Sequence, residues 1–352
     1  MALSRCRVLV GSDIPGLCAA LHSSWVHALP SAELELQVFS RQQALQRHVL
    51  EDIKMHNYDA AVLDPDLIPI ILRDHETLLF VQSTWAGVEP AAQWGREHHR
   101  SRGWWPNIVV CRLGGCFGSA MAEYCFAHIL GRERRLADLA KCQREKRWCR
   151  SEYRYRELGS LTLGLLGIGS IGSHIAKVAK MFGMRTMGYR RTRAENDELD
   201  VCVYEEDEGA LVDLLSTCDY VINSLPGTAD LCGLLDGDVL RLAHEARVKR
   251  LDEQLESSGL VLINIGRGDI ISEQTLLHSL NEHHLAGAVL DVFPKEPLPA
   301  SSALWGHPGV QVTPHVSGIS QPSSIASLFV KNYKALQEGR SPSFPLDWEK
   351  GY

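Results

Sequence analysis

Leu161-Thr162-Leu163-Gly164-Leu165-Leu166-Gly167-Ile168-Gly169-Ser170-Ile171-Gly172 decides the fold. Leu161–Leu166 reads as an apolar strand, and Ser170–Phe182 reads as a helix. Between them stands a glycine fingerprint at Gly167, Gly169 and Gly172. Such a fingerprint is a weak signal alone, but a strand before it and a helix after it give it a mechanism. Gly167 permits the tight turn, Gly169 lets the backbone approach a pyrophosphate, and Gly172 lets the helix pack on the sheet. Ser170 and Ile171 then lie at the helix N-terminus, where a pyrophosphate is stabilised by N–H groups and the helix dipole. The stretch therefore predicts a dinucleotide site.

Outward from it, short apolar runs alternate with helical patterns. Downstream strands are expected at Arg185–Tyr189, Tyr220–Asn223, Leu260–Asn264, Gly287–Leu290 and Val310–Val312. Upstream, Arg7–Val10, Leu34–Phe39, Asp59–Leu63, Leu78–Val81 and Ile108–Val110 form a second such series. Strands alternating with helices imply parallel sheets covered on both faces. A length of 352 residues suits two domains better than one core. Ser119–Leu139 reads as one long helix and Ser320–Gln337 as a last one. Lys141–Arg156 is basic and reads as a solvated connection. Leu240–Ser257 is charged at helical spacings and reads as a solvated surface insertion.

The end of the second Rossmann strand selects the cofactor. An NAD site usually places Asp or Glu there, to bind the adenosine ribose. This chain has Arg190-Arg191-Thr192-Arg193, and Glu195 comes too late to replace the acid. A 2′-phosphate needs cationic, planar donors. Arg190, Arg191 and Thr192 are therefore expected to bind it, with NADP(H) preferred and NAD(H) possible.

Three further motifs carry chemistry: Asn264-Ile265-Gly266-Arg267-Gly268-Asp269, Asp291-Val292-Phe293-Pro294-Lys295-Glu296-Pro297, and Thr313-Pro314-His315-Val316-Ser317-Gly318. Each follows a strand, at the carboxyl edge where open α/β sheets bind ligands. Arg267 can hold a substrate carboxylate bidentately and polarise the adjacent keto oxygen. His315 can give a proton to that oxygen in reduction and take it back in oxidation. Glu296 can fix the imidazole tautomer and stabilise the imidazolium.

With the glycine fingerprint, these motifs resemble the D-isomer-specific 2-hydroxyacid dehydrogenases, densely from Leu161 to Gly318 and more loosely before. The Arg-rich end of the second strand is most similar to the glyoxylate/hydroxypyruvate reductase branch. The resemblance assigns the same catalytic roles to Arg267, Glu296 and His315. It further implies that Asp291 meets the nicotinamide amide, that Pro226, Gly227 and Thr228 pass over the cofactor, and that Ile265, Ser317 and Gly318 lie near the nicotinamide. Ser83–Glu89 resembles the family's substrate loop, so Trp85, Ala86, Gly87 and Val88 would offer N–H groups to the substrate carboxylate together with Arg267. Met121-Ala122-Glu123-Tyr124 resembles its interdomain helix, with Met121 beside the cofactor. Asp64, if it faced the site, would disfavour substrates bearing further acidic groups.

The implied fold is two Rossmann/flavodoxin-like parallel-sheet α/β domains with the active site in the interdomain cleft. The substrate domain would be discontinuous, 1–118 plus 319–352, and the dinucleotide-binding domain would be 119–318. A homodimer with Ser119–Leu139 among its contacts is the family expectation. Small 2-ketoacids such as glyoxylate or hydroxypyruvate are the expected substrates, reduced to D-2-hydroxyacids. An NAD-linked dehydrogenase of another 2-hydroxyacid is the alternative. A dinucleotide-sensing corepressor, known from one branch of the superfamily, fits less well with a full triad and a short tail.

Composition is consistent with these readings. A formal net charge of −7 argues against nucleic acid or an anionic membrane as partner. Ten cysteines without zinc spacing read as buried apolar residues of a reduced compartment, with neither a disulfide framework nor a metal site. Met1–Gly11 runs directly into a strand with no secretory apolar segment, no run is long enough to span a bilayer, and Glu349–Tyr352 matches no targeting signal; a cytoplasmic protein is expected.

Overall fold

Two all-parallel sheets organise the computed structural model, which describes residues 5–73, 78–191, 193, 199–250 and 259–351. They belong to two compact units: Met1–Cys116 with Ser320–Tyr352, and Phe117–Ile319.

In the first unit, strands β1 (Arg5–Gly11), β2 (Glu33–Phe39), β3 (Ala60–Leu63), β4 (Phe80–Ser83) and β5 (Val109–Cys111) are ordered β2-β1-β3-β4-β5. This is the flavodoxin-like order. Every residue of β3 and β4 is buried, as expected for inner strands covered on both faces. The C-terminal helix Pro322–Gln337 starts with Pro at its first turn, where the missing N–H costs nothing. It lies against Leu17–Ala28, with Trp25 and Phe329 stacked at 6.3 Å and Phe80 stacked on Phe329 at 5.8 Å. Asn332, fully buried, donates to Gln82 Oε1 at 3.0 Å and accepts from Ser343 N at 2.7 Å. The chain end is thereby fixed to β4, and Leu346 N donates to Val110 O at 2.7 Å.

In the second unit, β6 (Thr162–Leu166), β7 (Arg185–Arg190), β8 (Val201–Tyr204), β9 (Tyr220–Asn223), β10 (Val261–Asn264), β11 (Gly287–Leu290) and β12 (Val310–Val312) are ordered β12-β11-β10-β9-β6-β7-β8. The order reverses between β6 and β9, the Rossmann switch point where ligands bind beyond the carboxyl ends. Leu166 pairs in register with Asn223, and Asn223 with Asn264, so the loops after β6, β9 and β10 leave one edge together.

Several local expectations are corrected. Strand β8 was not expected; it is a half-buried edge strand of four residues, too short for a clear period. The long helix is two, Gly118–Glu133 and Leu136–Arg144, separated by Arg135 at φ 47°. No Gly or Pro marks that break. It falls beside Glu133, whose buried carboxylate accepts from Arg156 Nη2 at 2.5 Å and from Tyr220 Oη at 2.6 Å. The same ion pair makes Arg156 a structural anchor, so Lys141–Arg156 is not wholly a solvated connection. The insertion forms a helix, Val239–Arg250, that buries Leu240, Ala243 and Arg247. Arg247 Nη1 donates to Cys218 O at 2.7 Å and Nη2 to Asp219 Oδ1 at 3.3 Å. This stretch is therefore packed; residues 251–257 lie outside those described.

Candidate active site

The fingerprint closes as its glycines require. Gly167 has φ 90°, a conformation side chains disfavour. A Cβ on Gly172 would stand 2.2 Å from Gly167 O, so the helix Ser170–Met181 approaches the turn as closely as backbone allows. A Cβ on Gly169 would meet nothing within 4 Å, which leaves room over the helix N-terminus. Ser224 Oγ donates to Gly167 O at 2.9 Å and ties the turn to the end of β9. These residues fit a dinucleotide pyrophosphate.

Arg190, at the end of β7, donates to Ile168 O at 3.4 Å and is held against the fingerprint. Arg191 is exposed and paired with Asp230, with Glu205 Oε2 at 3.5 Å. Arg193 pairs with Glu206 at 2.6 Å and Asp207 at 2.9 Å. The arginine run is thus met by carboxylates at its rim, which the sequence reading did not anticipate. Thr192, expected to join the cofactor set, lies outside the described residues, as does Glu195.

Two buried asparagines organise the loops after β9 and β10. Asn223 Nδ2 donates to Asn264 Oδ1 at 2.8 Å, and Asn223 Oδ1 accepts from Leu225 N at 3.1 Å. Asn264 Oδ1 also accepts from Gly266 N at 3.2 Å, while its Nδ2 donates to Arg267 O at 3.0 Å. The pair joins the loop carrying Pro226 and Thr228 to the loop carrying Ile265 and Arg267. Neither asparagine was expected as a site residue; an Asn closing each of two otherwise apolar neighbouring strands was the available signal. Arg267 Nη1 donates to Gly266 O at 2.8 Å. A Cβ on Gly268 would fall 2.0 Å from Phe293 C, so the β10 and β11 loops touch backbone to backbone.

Beyond β11, Glu296 turns back on its own loop. Its Oε1 accepts from Phe293 N at 2.9 Å, and its Oε2 is 2.8 Å from His315 Nδ1. The hydrogen-bonded Glu296 carboxylate raises the His315 pKa above its ordinary value, against burial and the nearby Arg267 charge. Burial pushes Glu296 up, but its bonds from His315 and the Phe293 N–H outweigh that and hold it below the usual carboxylate value.

His315 has φ 55°, and its backbone is held there by Asp291. His315 N donates to Asp291 O at 2.9 Å. The fully buried Asp291 carboxylate accepts from Thr313 Oγ1 at 2.6 Å, Val316 N at 2.9 Å and Ser317 N at 2.8 Å. Tyr124 Oη lies 2.7 Å from Thr313 Oγ1. Because Thr313 spends its proton on Asp291, Tyr124 is the donor in that pair. Asp291, Ser317, Glu296 and His315 thus belong to one bonded edge, and Asp291 N, donating to Asn264 O at 3.0 Å, joins it to the strand that precedes Arg267. Met121 packs on the loop end, where a Cβ on Gly318 would lie 3.1 Å from Met121 Cγ.

Trp85, Ala86, Gly87 and Val88 belong to the first unit, beyond β4. Trp85 is 41% exposed and so is no core residue of its unit. Ser83 Oγ donates to Trp85 O at 3.1 Å and accepts from Trp85 N at 3.2 Å. Asp64 is 3% exposed and accepts from Thr84 Oγ1 at 2.5 Å. It is spent inside its unit, with its pKa raised by burial, rather than presented to a ligand.

The sequence pattern described as D-isomer specific 2-hydroxyacid dehydrogenase, NAD binding domain, matches residues 126–317. The chain belongs to the D-isomer specific 2-hydroxyacid dehydrogenase family. Glyoxylate/hydroxypyruvate reductase A of Escherichia fergusonii is 29% identical over 328 residues, covering 92% of this chain and 98% of that protein. A D-isomer specific 2-hydroxyacid dehydrogenase family structure from Aeromonas salmonicida superposes with a TM-score of 0.77 at 28% identity, covering 97% of this chain and 99% of that one. An NADPH-dependent glyoxylate/hydroxypyruvate reductase from Sinorhizobium meliloti, in complex with NADP and sulfate, shares the fold with a TM-score of 0.75 at 23% identity, covering 99% and 100%. As a member of this family the chain is an NAD(P)-dependent oxidoreductase with a nicotinamide dinucleotide site in its second unit. Among the described residues, no helix is long and apolar enough to cross a membrane.

Proposed function

We propose that this dehydrogenase is an NADP(H)-preferring reductase of small 2-ketoacids, glyoxylate or hydroxypyruvate among them, yielding D-2-hydroxyacids. The observation that carries the reading is the His315–Glu296 pair at 2.8 Å, beside Arg267 on one sheet edge. The nicotinamide supplies the hydride when bound. Arg267 binds the substrate carboxylate and polarises the keto oxygen. His315, protonated at Nε2 and oriented through Nδ1 by Glu296, delivers the proton to that oxygen. Asp291 holds the His315 loop and meets the carboxamide end of the cofactor. Gly167, Gly169, Ser170, Ile171 and Gly172 hold the pyrophosphate, and Arg190 with Arg191 receives the 2′-phosphate. Pro226, Thr228, Ile265, Ser317, Gly318 and Met121 border the cofactor, and the N–H groups of Trp85 to Val88 join Arg267 on the substrate. The second unit is then the cofactor domain and the first the substrate domain. A cytoplasmic homodimer using the helix Gly118–Glu133 completes the reading.

The Escherichia fergusonii relative's name supports the substrate class, and the Sinorhizobium meliloti complex supports the cofactor. One observation favours an NAD-linked second reading: Glu205 and Asp230 already engage Arg191. Steady-state oxidation of NADPH and of NADH with glyoxylate, hydroxypyruvate, pyruvate and phenylpyruvate decides between them. A larger kcat/KM for NADPH with glyoxylate and hydroxypyruvate supports the proposal. Turnover with NADH alone selects the second reading, and no turnover of any ketoacid rejects both.

A further inference from the structure

The helix Leu136–Arg144 ends in a tight reversal. Lys146 stands in the left-handed region at φ 52°, Lys146 N donates to Gln143 O at 3.1 Å, and Arg147 N donates to Cys142 O at 2.9 Å. This is the paired bonding of a Schellman motif, with a lysine where glycine is usual. The reversal sends the chain back toward the helix end, where Cys142 and Cys149 line the same cavity. This cavity, of about 130 Å³, is also lined by Arg135, Lys141, Arg147 and Tyr153. Cys142 is buried and Cys149 half-buried. Arg147 is fixed at this cavity by Glu152 Oε1 at 2.7 Å and Oε2 at 2.8 Å; the neighbouring Cys149 thiol and burial hold the Cys142 pKa above its ordinary value, and the Arg147 charge only partly opposes them. Nothing in the reductase chemistry uses this pair.

We propose that Cys142 and Cys149 form a reversible dithiol–disulfide site, oxidised by hydrogen peroxide and restored by a dithiol. The more accessible Cys149 reacts first. Its thiolate sulfur attacks one peroxide oxygen; the S–O bond forms as the O–O bond breaks, and the departing hydroxide takes up a proton as water. The Cys142 thiolate then attacks the Cys149 sulfenic sulfur. The S–S bond forms, the S–O bond breaks, and a second water leaves. The two thiols give up two electrons in all, and one peroxide accepts them. A dithiol reverses the change by exchange through a mixed disulfide. In a reducing compartment the pair rests as thiols, as sensor cysteines do, and closes only under oxidation. The helix-end reversal and the shared cavity keep the two cysteines at one place in the fold, so closure spans only a short loop.

The test uses the whole native protein. After limited hydrogen peroxide the remaining thiols are capped with N-ethylmaleimide, and tryptic peptides are read by mass spectrometry; Arg144, Lys146 and Arg147 separate the two cysteines. Maleimide labelling of Cys142 and Cys149 should fall together while one linked peptide pair appears, and dithiothreitol should restore both. Cys232, an exposed cysteine, reports mere accessibility. Cys149→Ser should give no linked pair and leave Cys142 labelled. Cys142→Ser should leave a Cys149 sulfenic acid that dimedone traps. Oxidation of Cys232 while the pair stays labelled, or onward oxidation of Cys149 without a link, overturns the proposal.

Discussion

Glu296 Oε2 lies 2.8 Å from His315 Nδ1, and each group shifts the other toward its charged form. His315 therefore stays protonated to higher pH than a free imidazole, whose value is about 6.5. In the proposed reaction reduction uses that proton, so it should be full at low pH and be lost as pH rises through the raised His315 value. The pair's effect on stability has the same upper limit; at the acid side Glu296 loses its share as pH falls through its depressed value. Side-chain exposures of 41% and 36% make catalysis, not stability, the sensitive readout. In Glu296→Gln the alkaline limb of kcat/KM for ketoacid reduction should move to lower pH, with kcat down by about 10²-fold or more. A pH–rate profile checks this, and an unmoved limb rejects the pairing as functional.

Arg267 is placed by Asn264, which accepts from Gly266 N and donates to Arg267 O. Arg267→Lys keeps the charge but loses the planar fork. Turnover of glyoxylate should fall by about 10²–10³-fold, as when an oxyanion donor is removed. NADPH affinity, read by fluorescence titration, should stay nearly unchanged. Kinetics equal to those of the parent protein would remove Arg267 from the substrate site.

Arg190 and Arg191 are not equivalent. Arg190 bonds to the fingerprint turn, whereas Arg191 is shared with Glu205 and Asp230. Arg190→Ala should lower the NADPH/NADH ratio of kcat/KM by about 10–100-fold, the worth of one charge-assisted hydrogen bond. Asp230→Asn should raise the ratio by freeing Arg191. A ratio that moves in neither variant would place the 2′-phosphate elsewhere.

Gly172→Ala puts a methyl group 2.2 Å from Gly167 O, where only backbone can yield. Such overpacking costs about 1–3 kcal/mol. Thermal denaturation should show a Tm lowered by about 2–10 °C, and NADPH titration a weakened affinity. Gly169→Ala, whose Cβ meets nothing, should retain the parent Tm and lose affinity only. Equal Tm values for the two variants would contradict the described turn.

Much of this was legible in the sequence because it is local. Leu161–Gly172 writes strand, turn and helix in twelve consecutive residues, and Arg267, Glu296 and His315 each follow a strand whose apolar run is plain. Parallel strands with both faces buried make the runs readable, and the family motifs rest on those runs. What the tertiary structure decided is what depends on partners distant in the chain. Glu133 meets Arg156 and Tyr220 beside a helix break that no local residue marks. Arg247 became a buried anchor because Cys218 O and Asp219 stand under its helix. Asn223 and Asn264 read as ordinary strand ends until register set them side by side. Arg191 and Arg193 read as open cations until the fold brought acids to them. Periodicity records which face of an element is apolar, but a charge or an amide takes its meaning from the group opposite it, and only the folded chain supplies that group.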